Sequence, residues 1–243
     1  KDAWYIYYSL PADCSTVTGD KGLPLFYTKY DPNTFDYNFT LTKSRKEDIF
    51  SLFCLADPQC SNSSGRARFQ KESVPHIKAL AESKGVPCYG VTLGDIVSSG
   101  DSSDTTPQMP YMRDHMSITM TGIPIYQTMG NHDYTYFYSS KPISADETSS
   151  TYNIKAQRAF EDVFGPINYS WNRGDAHIVC MRNMQWSSNT DAGKYTSPTF
   201  TSEQISWLRQ DLSFVPKDKL VIFCVHVPLV NSSRTGVQDV ISL

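Results

Sequence analysis

The sequence predicts an α/β protein whose sheet is covered by helices on both faces. Two observations carry this. Short apolar runs of strand length alternate with longer segments of helical periodicity. The strands also read as nearly continuous apolar stretches rather than as alternating ones, which is the mark of burial on both sides. A third observation sets the scale: 243 residues, 40% of them hydrophobic and 19% charged, make one large domain or one domain with a further piece attached. Disordered, collagen-like and coiled-coil chains are excluded by the same composition.

The elements follow in order. Residues 1–45 contain strand-like segments and no helix: Trp4 to Tyr8, Leu25 to Tyr30 and Phe35 to Leu41 are aromatic-rich and separated by Gly, Pro, Asp and Asn turns. This stretch is too small to stand alone and is expected to be an edge addition or a remnant of a β-rich domain. From residue 46 the α/β pattern runs to residue 243. Its strands are Ile49 to Ala56, Tyr89 to Leu93, Ile125 to Met129, His177 to Met181 and Leu220 to Val225. Its helices are Ser73 to Ser83, Tyr111 to Met120, Ile154 to Phe164 and Ser202 to Leu212. The last has Thr201 and Gln204 spaced as a capping box, with Ile205, Leu208 and Leu212 on one face. Pro75 is out of place inside the first helix, where it removes a hydrogen bond and crowds the preceding turn. Ser98 to Pro110 and Ser139 to Thr151 read as surface loops.

Charge and cysteines narrow the functional classes. A net charge of −3 leaves no basic footprint for nucleic acid or an anionic membrane surface. The longest apolar run, Leu220 to Val225, is far short of the ~20 residues of a membrane-spanning helix. Among six cysteines, Cys54, Cys180 and Cys224 fall within apolar strands and are expected in the core, while Cys14, Cys60 and Cys88 are free or paired.

The chemistry lies where strands end. The first closes on Asp57-Pro58-Gln59, the second on Gly94-Asp95, the third on Gly130-Asn131-His132-Asp133 and the last on His226. Taken singly, Asp57 and Asp95 are ordinary caps or turn formers, and His226 an ordinary hydrogen-bonded core histidine. Parallel strands side by side, however, bring all four ends to one edge, where open α/β sheets bind ligands. Oxygen and imidazole donors without a thiolate suit zinc, iron or manganese. Two such ions ~3.5 to 4 Å apart and sharing a carboxylate would hold a bridging hydroxide between them, a nucleophile suited to in-line attack on phosphorus.

These residues resemble the calcineurin-like metallophosphoesterases. Asp57-Pro58-Gln59 stands for the family's Asp-x-His, Gly94-Asp95 for Gly-Asp, Gly130-Asn131-His132-Asp133 for Gly-Asn-His-Asp/Glu, and His226 for the metal histidine after a later strand. Tyr169-Ser170-Trp171 and Gly174-Asp175-Ala176-His177 resemble the family's strand pair before its next helix, and Phe26 to Pro32 the end of a β-rich domain found in exported bacterial members. The resemblance implies a four-layer αββα core with an N-terminal β-rich remnant, two divalent ions (Mn, Zn or Fe), hydrolysis of a small-molecule phosphomonoester or diester, and a secreted or periplasmic setting. It implies Asp57 and Gln59 on one ion, Asp95 bridging, Asn131 and His226 on the other, His132 over the phosphate as proton donor or charge stabiliser, and Asp133 orienting the His132 ring.

Two departures accompany it. Gln59 replaces a histidine, and a neutral amide oxygen is a weaker donor. The family's closing Gly-His-x-His is not found before Leu243, although Val237, Val240 and Ile241 have the spacing of a helix that would lead to it, so the domain is expected to be cut short. The alternative expectation is a truncated or degenerate relative that binds phosphate or a partner without turnover. His76, His115 and His177 are assigned structural or surface roles, and Tyr134, Tyr136 and Tyr138 either line a pocket or alternate between packing and solvent.

Overall fold

A computed structural model describes residues 5–60, 62–98, 108–134, 149–186, 195–196, 198–230 and 232–243. The expected loops at 98–110 and 139–151 fall largely outside these residues, as do Tyr136 and Tyr138.

Two three-stranded sheets form the centre. In the first, β6 (Ser51–Leu55), β7 (Cys88–Thr92) and β8 (Ile125–Tyr126) run parallel in the order β6-β7-β8. The second has the order β13-β10-β9: β10 (Ala176–Met181) pairs in parallel with β13 (Leu220–Cys224) and antiparallel with β9 (Asn168–Arg173). The sheets face each other across Tyr89, Val91, Tyr126, Tyr169, Trp171, Ile178 and Cys180, all buried. The Trp171 indole stacks on the Tyr126 ring with centroids 4.1 Å apart and planes 12° from parallel.

Strand alternation sends the other residues outward onto helices. Val179, Met181 and Phe223 meet Leu208 of α6 (Ser202–Ser213) and Val237 and Val240 of α7 (Thr235–Ile241). On the far side, Ile125 and Leu55 pack with helical residues Phe69, Val74, Ile77, Met112 and Phe160. The four layers are therefore helix, sheet, sheet, helix, and β10 is buried at all six positions because both its faces are covered.

Local chemistry sets the element boundaries. Thr201 caps α6, its side chain accepting from the Gln204 amide at 3.2 Å while Gln204 Oε1 accepts from the Thr201 amide at 3.0 Å. Pro75 is accommodated because α1 (Ser63–Arg68) passes through a π-helical turn (Phe69–Ser73) into α2 (Val74–Ser83), placing the proline in the first turn of α2. The single helix expected at Tyr111 to Met120 is two: α3 (Gln108–His115) and α4 (Ile118–Thr121), broken at Ser117, whose backbone is extended and whose hydroxyl donates to Asp114 O. α5 (Ser149–Phe164) starts five residues before the expected Ile154.

The N-terminal segment joins the same core. β1 (Tyr5–Tyr7) pairs with β4 (Tyr27–Lys29), and β2 (Cys14–Thr18) lies between β3 (Pro24–Leu25) and β5 (Leu41–Lys43). Leu10 bridges to Trp171, and Leu10 and Phe26 enter the space between the sheets. Phe35 to Leu41 is not the expected strand. Asp31 takes the Asn33 amide and the Thr34 hydroxyl on its carboxylate and the Tyr37 hydroxyl on its carbonyl, so residues 31–40 are held as a turn and irregular chain with Phe35 exposed. Cys54 differs from the expected core position: among the described residues β6 is the edge of its sheet and Cys54 is exposed, whereas Cys180 and Cys224 are buried. All six cysteines are free.

Candidate metal centre

The four strand ends do meet, but not from one sheet. Asp57, Asp95 and the Gly130 to Asp133 segment follow β6, β7 and β8, while His226 follows β13 and reaches across from the facing sheet. One ligand atom from each of Asp57, Asp95 and His226 lies within 4.8 Å of the other two. Asn131 and Gln59 adjoin this group: Asn131 Oδ1 is 2.9 Å from His226 Nε2, and Gln59 Nε2 donates to Asp95 Oδ2 at 2.8 Å.

Backbone conformation aims these side chains inward. Asp57, Gln59 and Asp95 all have positive φ, 49°, 40° and 52°. For a residue with a Cβ this region costs on the order of 1–3 kcal/mol, least for Asp, and such strain gathers at sites that use it. The two motif glycines are required by contact. A Cβ on Gly94 (φ +88°) would lie 2.7 Å from Gly130 Cα, and one on Gly130 would lie 2.1 Å from Asp95 N. The second and third loops thus touch backbone to backbone, and this packs the Asp95 carboxylate against the Asn131 turn.

Hydrogen bonds then lock one loop to the next. The Gln59 amide donates to Asp95 O at 3.0 Å, joining the first loop to the second. Asp95 Oδ1 accepts the His132 amide at 2.8 Å, joining the second to the third. His226 Nδ1 donates to Leu93 O at 2.9 Å, joining the fourth to the second. Such mutual support fixes side chains before any ligand arrives.

The donor set fits a cation. His226 Nδ1 donates to Leu93 O, which turns Nε2 toward Asn131 Oδ1 at 2.9 Å and Asp95 Oδ1 at 3.4 Å. Carboxylate, amide and imidazole groups converging in this way form a donor set that suits a divalent cation. Asp95 is 2% exposed and Asp57 is exposed, so the group opens to solvent on the Asp57 side. A cleft of about 950 Å³ lined by Pro58, Gln59, Asn62, Arg68 and His76 adjoins the group through Gln59, and Asp57, Asp95 and His226 do not line it. Gln59 enters the site as a donor to Asp95; a half-turn of its amide is needed to offer the oxygen that a metal would take.

His132 stands beside the group, its side chain 24% exposed and its Nε2 3.8 Å from Asp95 Oδ2. Its partner differs from the expected one. Ser98 O, not Asp133, meets the His132 Nδ1 at 2.7 Å. Asp133 is wholly buried beneath the turn, where it accepts from the Gly130 amide at 2.8 Å and the Val97 amide at 3.1 Å. Burial pushes its carboxyl up to about 7; the nearby Asp95 adds to the rise and the amide donors oppose it. The buried carboxylate is taken up by two backbone amides, Gly130 of its own loop and Val97 of the loop after β7, and not by the ring, which sequence spacing does not reveal.

The sequence also gave no sign of two supporting groups, the Ser98 carbonyl and the Asn183 side chain, which meets the residue after His226. Elsewhere, His177 is buried between Asn172 Oδ1 and Asp211 Oδ2, each 2.8 Å away, and ties α6 to the sheet. His115 stacks on Tyr111, His76 is exposed, and Tyr134 is buried. Among the described residues, no helix is long and apolar enough to cross a membrane.

Residues 54–242 match the model of a family described as calcineurin-like phosphoesterase. Among curated proteins none matches. A solved structure titled "Structure of PhoD" is similar at 12% identity and a TM-score of 0.39, over 72% of this chain and 42% of that one.

Proposed function

The chain belongs to the calcineurin-like phosphoesterase family, and from that premise we propose that it hydrolyses a small-molecule phosphoester at a two-cation centre built on Asp95. The family supports metal-dependent phosphoester hydrolysis in general. The observation that carries the finer reading is the convergence of Asp57, Asp95 and His226 within 4.8 Å, with Asn131 Oδ1 at 2.9 Å from the same histidine nitrogen.

In this reading Asp57 and Gln59 serve one cation, Asn131 and His226 the other, and Asp95 both. Divalent ions held there supply positive charge to the phosphoryl oxygens and acidify water, the chemistry that phosphoester hydrolysis needs. The remaining work falls to side chains. Ser98 O keeps the His132 ring oriented through Nδ1, which leaves Nε2 facing the centre. Protonated, that nitrogen donates to a phosphoryl or leaving-group oxygen. The partly exposed ring can meet substrate, whereas the buried Asp133 keeps the turn in shape and touches nothing that reacts.

Hydrolysis of p-nitrophenyl phosphate and bis-p-nitrophenyl phosphate with added Mn²⁺, Zn²⁺ or Fe²⁺ tests the proposal. Turnover that depends on the metal and is lost in Asp95→Asn and reduced in His132→Ala supports it; rates unchanged by both substitutions refute it. A second reading, binding without turnover, is favoured by one observation: Gln59 presents its amide nitrogen to Asp95. Metal binding with no turnover on either ester would decide for that alternative.

A further inference from the structure

We infer that Asn183 is a positioning residue for the metal centre, one that fixes His226 by replacing a missing step of the sheet ladder. The inference rests on the reading of His226 as a metal ligand.

β10 and β13 pair in parallel through Cys180↔Cys224, and there the regular ladder stops. Three residues further along each strand the same register places Asn183 opposite Val227. At that point the Asn183 side chain takes both backbone groups of Val227. Its Nδ2 donates to Val227 O at 2.5 Å, and its Oδ1 accepts from the Val227 amide at 3.1 Å. A primary amide presents a donor and an acceptor side by side, as a peptide group does, so it can stand in for a strand partner. The side chain is fully buried, and its own backbone carbonyl accepts the Thr199 amide at 2.9 Å, so the clamp is itself held.

His226 lies between the end of the ladder at Cys224 and the clamp at Val227. Its backbone is therefore pinned on both sides, and its ring is directed across to the facing sheet, where Leu93 O takes Nδ1 and Asn131 meets Nε2. Without the clamp, the Val227 carbonyl and amide lose their partners, and the segment after β13 is held only by its side chains, with Val225 and Leu229 packed on one helical layer and Val227 on the other. Groups that orient a metal-binding histidine without touching the metal typically affect affinity or activity 10- to 100-fold.

The test compares Mn²⁺ binding and thermal stability in the full chain. Asn183→Ala removes both bonds; Asn183→Asp keeps the shape and the acceptor but loses the donor. Both are expected to raise the Mn²⁺ dissociation constant roughly 10- to 100-fold. Leu208→Ala, a buried position under the same sheet, is expected to lower stability and leave the Mn²⁺ constant unchanged. A merely structural role for Asn183 would give its variants that same Leu208→Ala pattern, and such a result overturns the inference. Amide exchange in the wild-type chain offers a reading independent of any variant: Val227 N–H is expected to be protected, and rapid exchange there overturns the clamp. The two levels separate cleanly. If wild type binds no Mn²⁺, the proposed function falls; if wild type binds, His226→Ala does not, and the Asn183 variants bind as wild type does, only the role of Asn183 falls.

Discussion

Gly130→Ala tests the geometry of the centre with the addition of one methyl group. The new Cβ would lie 2.1 Å from Asp95 N and 2.2 Å from Asp95 Oδ1. Ordinary contact begins at 3.4 Å, so the atoms must separate by roughly 1.3 Å. Neither neighbour is the free end of a flexible side chain: one is backbone, and the other is a carboxylate only 2% exposed and held by His132 N and Gln59. The strain is therefore relieved by displacing Asp95. A shift of about 1 Å in a catalytic constellation costs on the order of 100-fold in rate, or ~2.7 kcal/mol in the barrier. Overpacking costs a further ~1–3 kcal/mol of stability, a fall in Tm of roughly 2–12 °C for a chain of this size. The assay is kcat/KM on p-nitrophenyl phosphate at saturating Mn²⁺, with calorimetry in parallel. Gly236→Ala serves as the control, since its Cβ would meet Phe200 O at 3.4 Å and Ile205 Cδ1 at 3.6 Å. Gly130→Ala activity within about twofold of wild type, at unchanged Mn²⁺ affinity, would refute the assignment of Asp95 as the shared ligand.

Other perturbations have equally definite outcomes. Trp171→Ala, which empties the space beneath Tyr126 and Leu10 between the sheets, is expected to cost ~3–5 kcal/mol in urea unfolding; a loss below about 1 kcal/mol would mean that the sheets do not share this core. Burial raises the Glu161 carboxyl from 4.5 to about 7, so the folded chain retains a proton that the unfolded chain releases first. Its contribution is therefore most favourable below about pH 4.5 and declines as pH rises to about 7, by at most ~3 kcal/mol. Glu161→Gln is expected to remove that decline, and parallel pH–stability curves for variant and wild type would contradict it. Chelation with EDTA is expected to abolish turnover reversibly and to lower Tm, because ligands that bind only the folded state stabilise it by mass action; activity that survives exhaustive chelation would exclude a metal centre.

How much of this could be read from the letters depends on the range of the interaction. The α6 start was legible because Thr201 and Gln204 are three residues apart, and local capping needs no other part of the chain. Strand ends were legible because apolar runs stop where polar groups begin, which gave Asp57, Asp95, Asn131 and His226. Their distribution over two sheets was not legible in the apolar pattern, which suggested one edge; only the resemblance to a four-layer αββα core implied it, since strand order depends on contacts between distant segments. Cys54 shows the same limit: an apolar run marks a strand but does not say that the strand is an edge. The sequence reading paired Asp133 with the His132 ring, but the nearest partner in sequence is not the nearest in space, and Ser98 O takes that place. Gly94 and Gly130 were visible as motif letters, yet their need for close approach emerged only when the second and third loops were seen to touch. Asn183 carried no signal at all, because its meaning depends on where the ladder to β13 ends.

Anomalous diffraction from crystals grown with Mn²⁺ addresses the central claim most directly. The account predicts density for cations at the mouth formed by Asp57, Asp95, Asn131 and His226, with an Asp95 oxygen at ordinary metal–oxygen distance, about 2.0–2.3 Å. Strong manganese peaks elsewhere on the molecule, with none among those four residues, would contradict it.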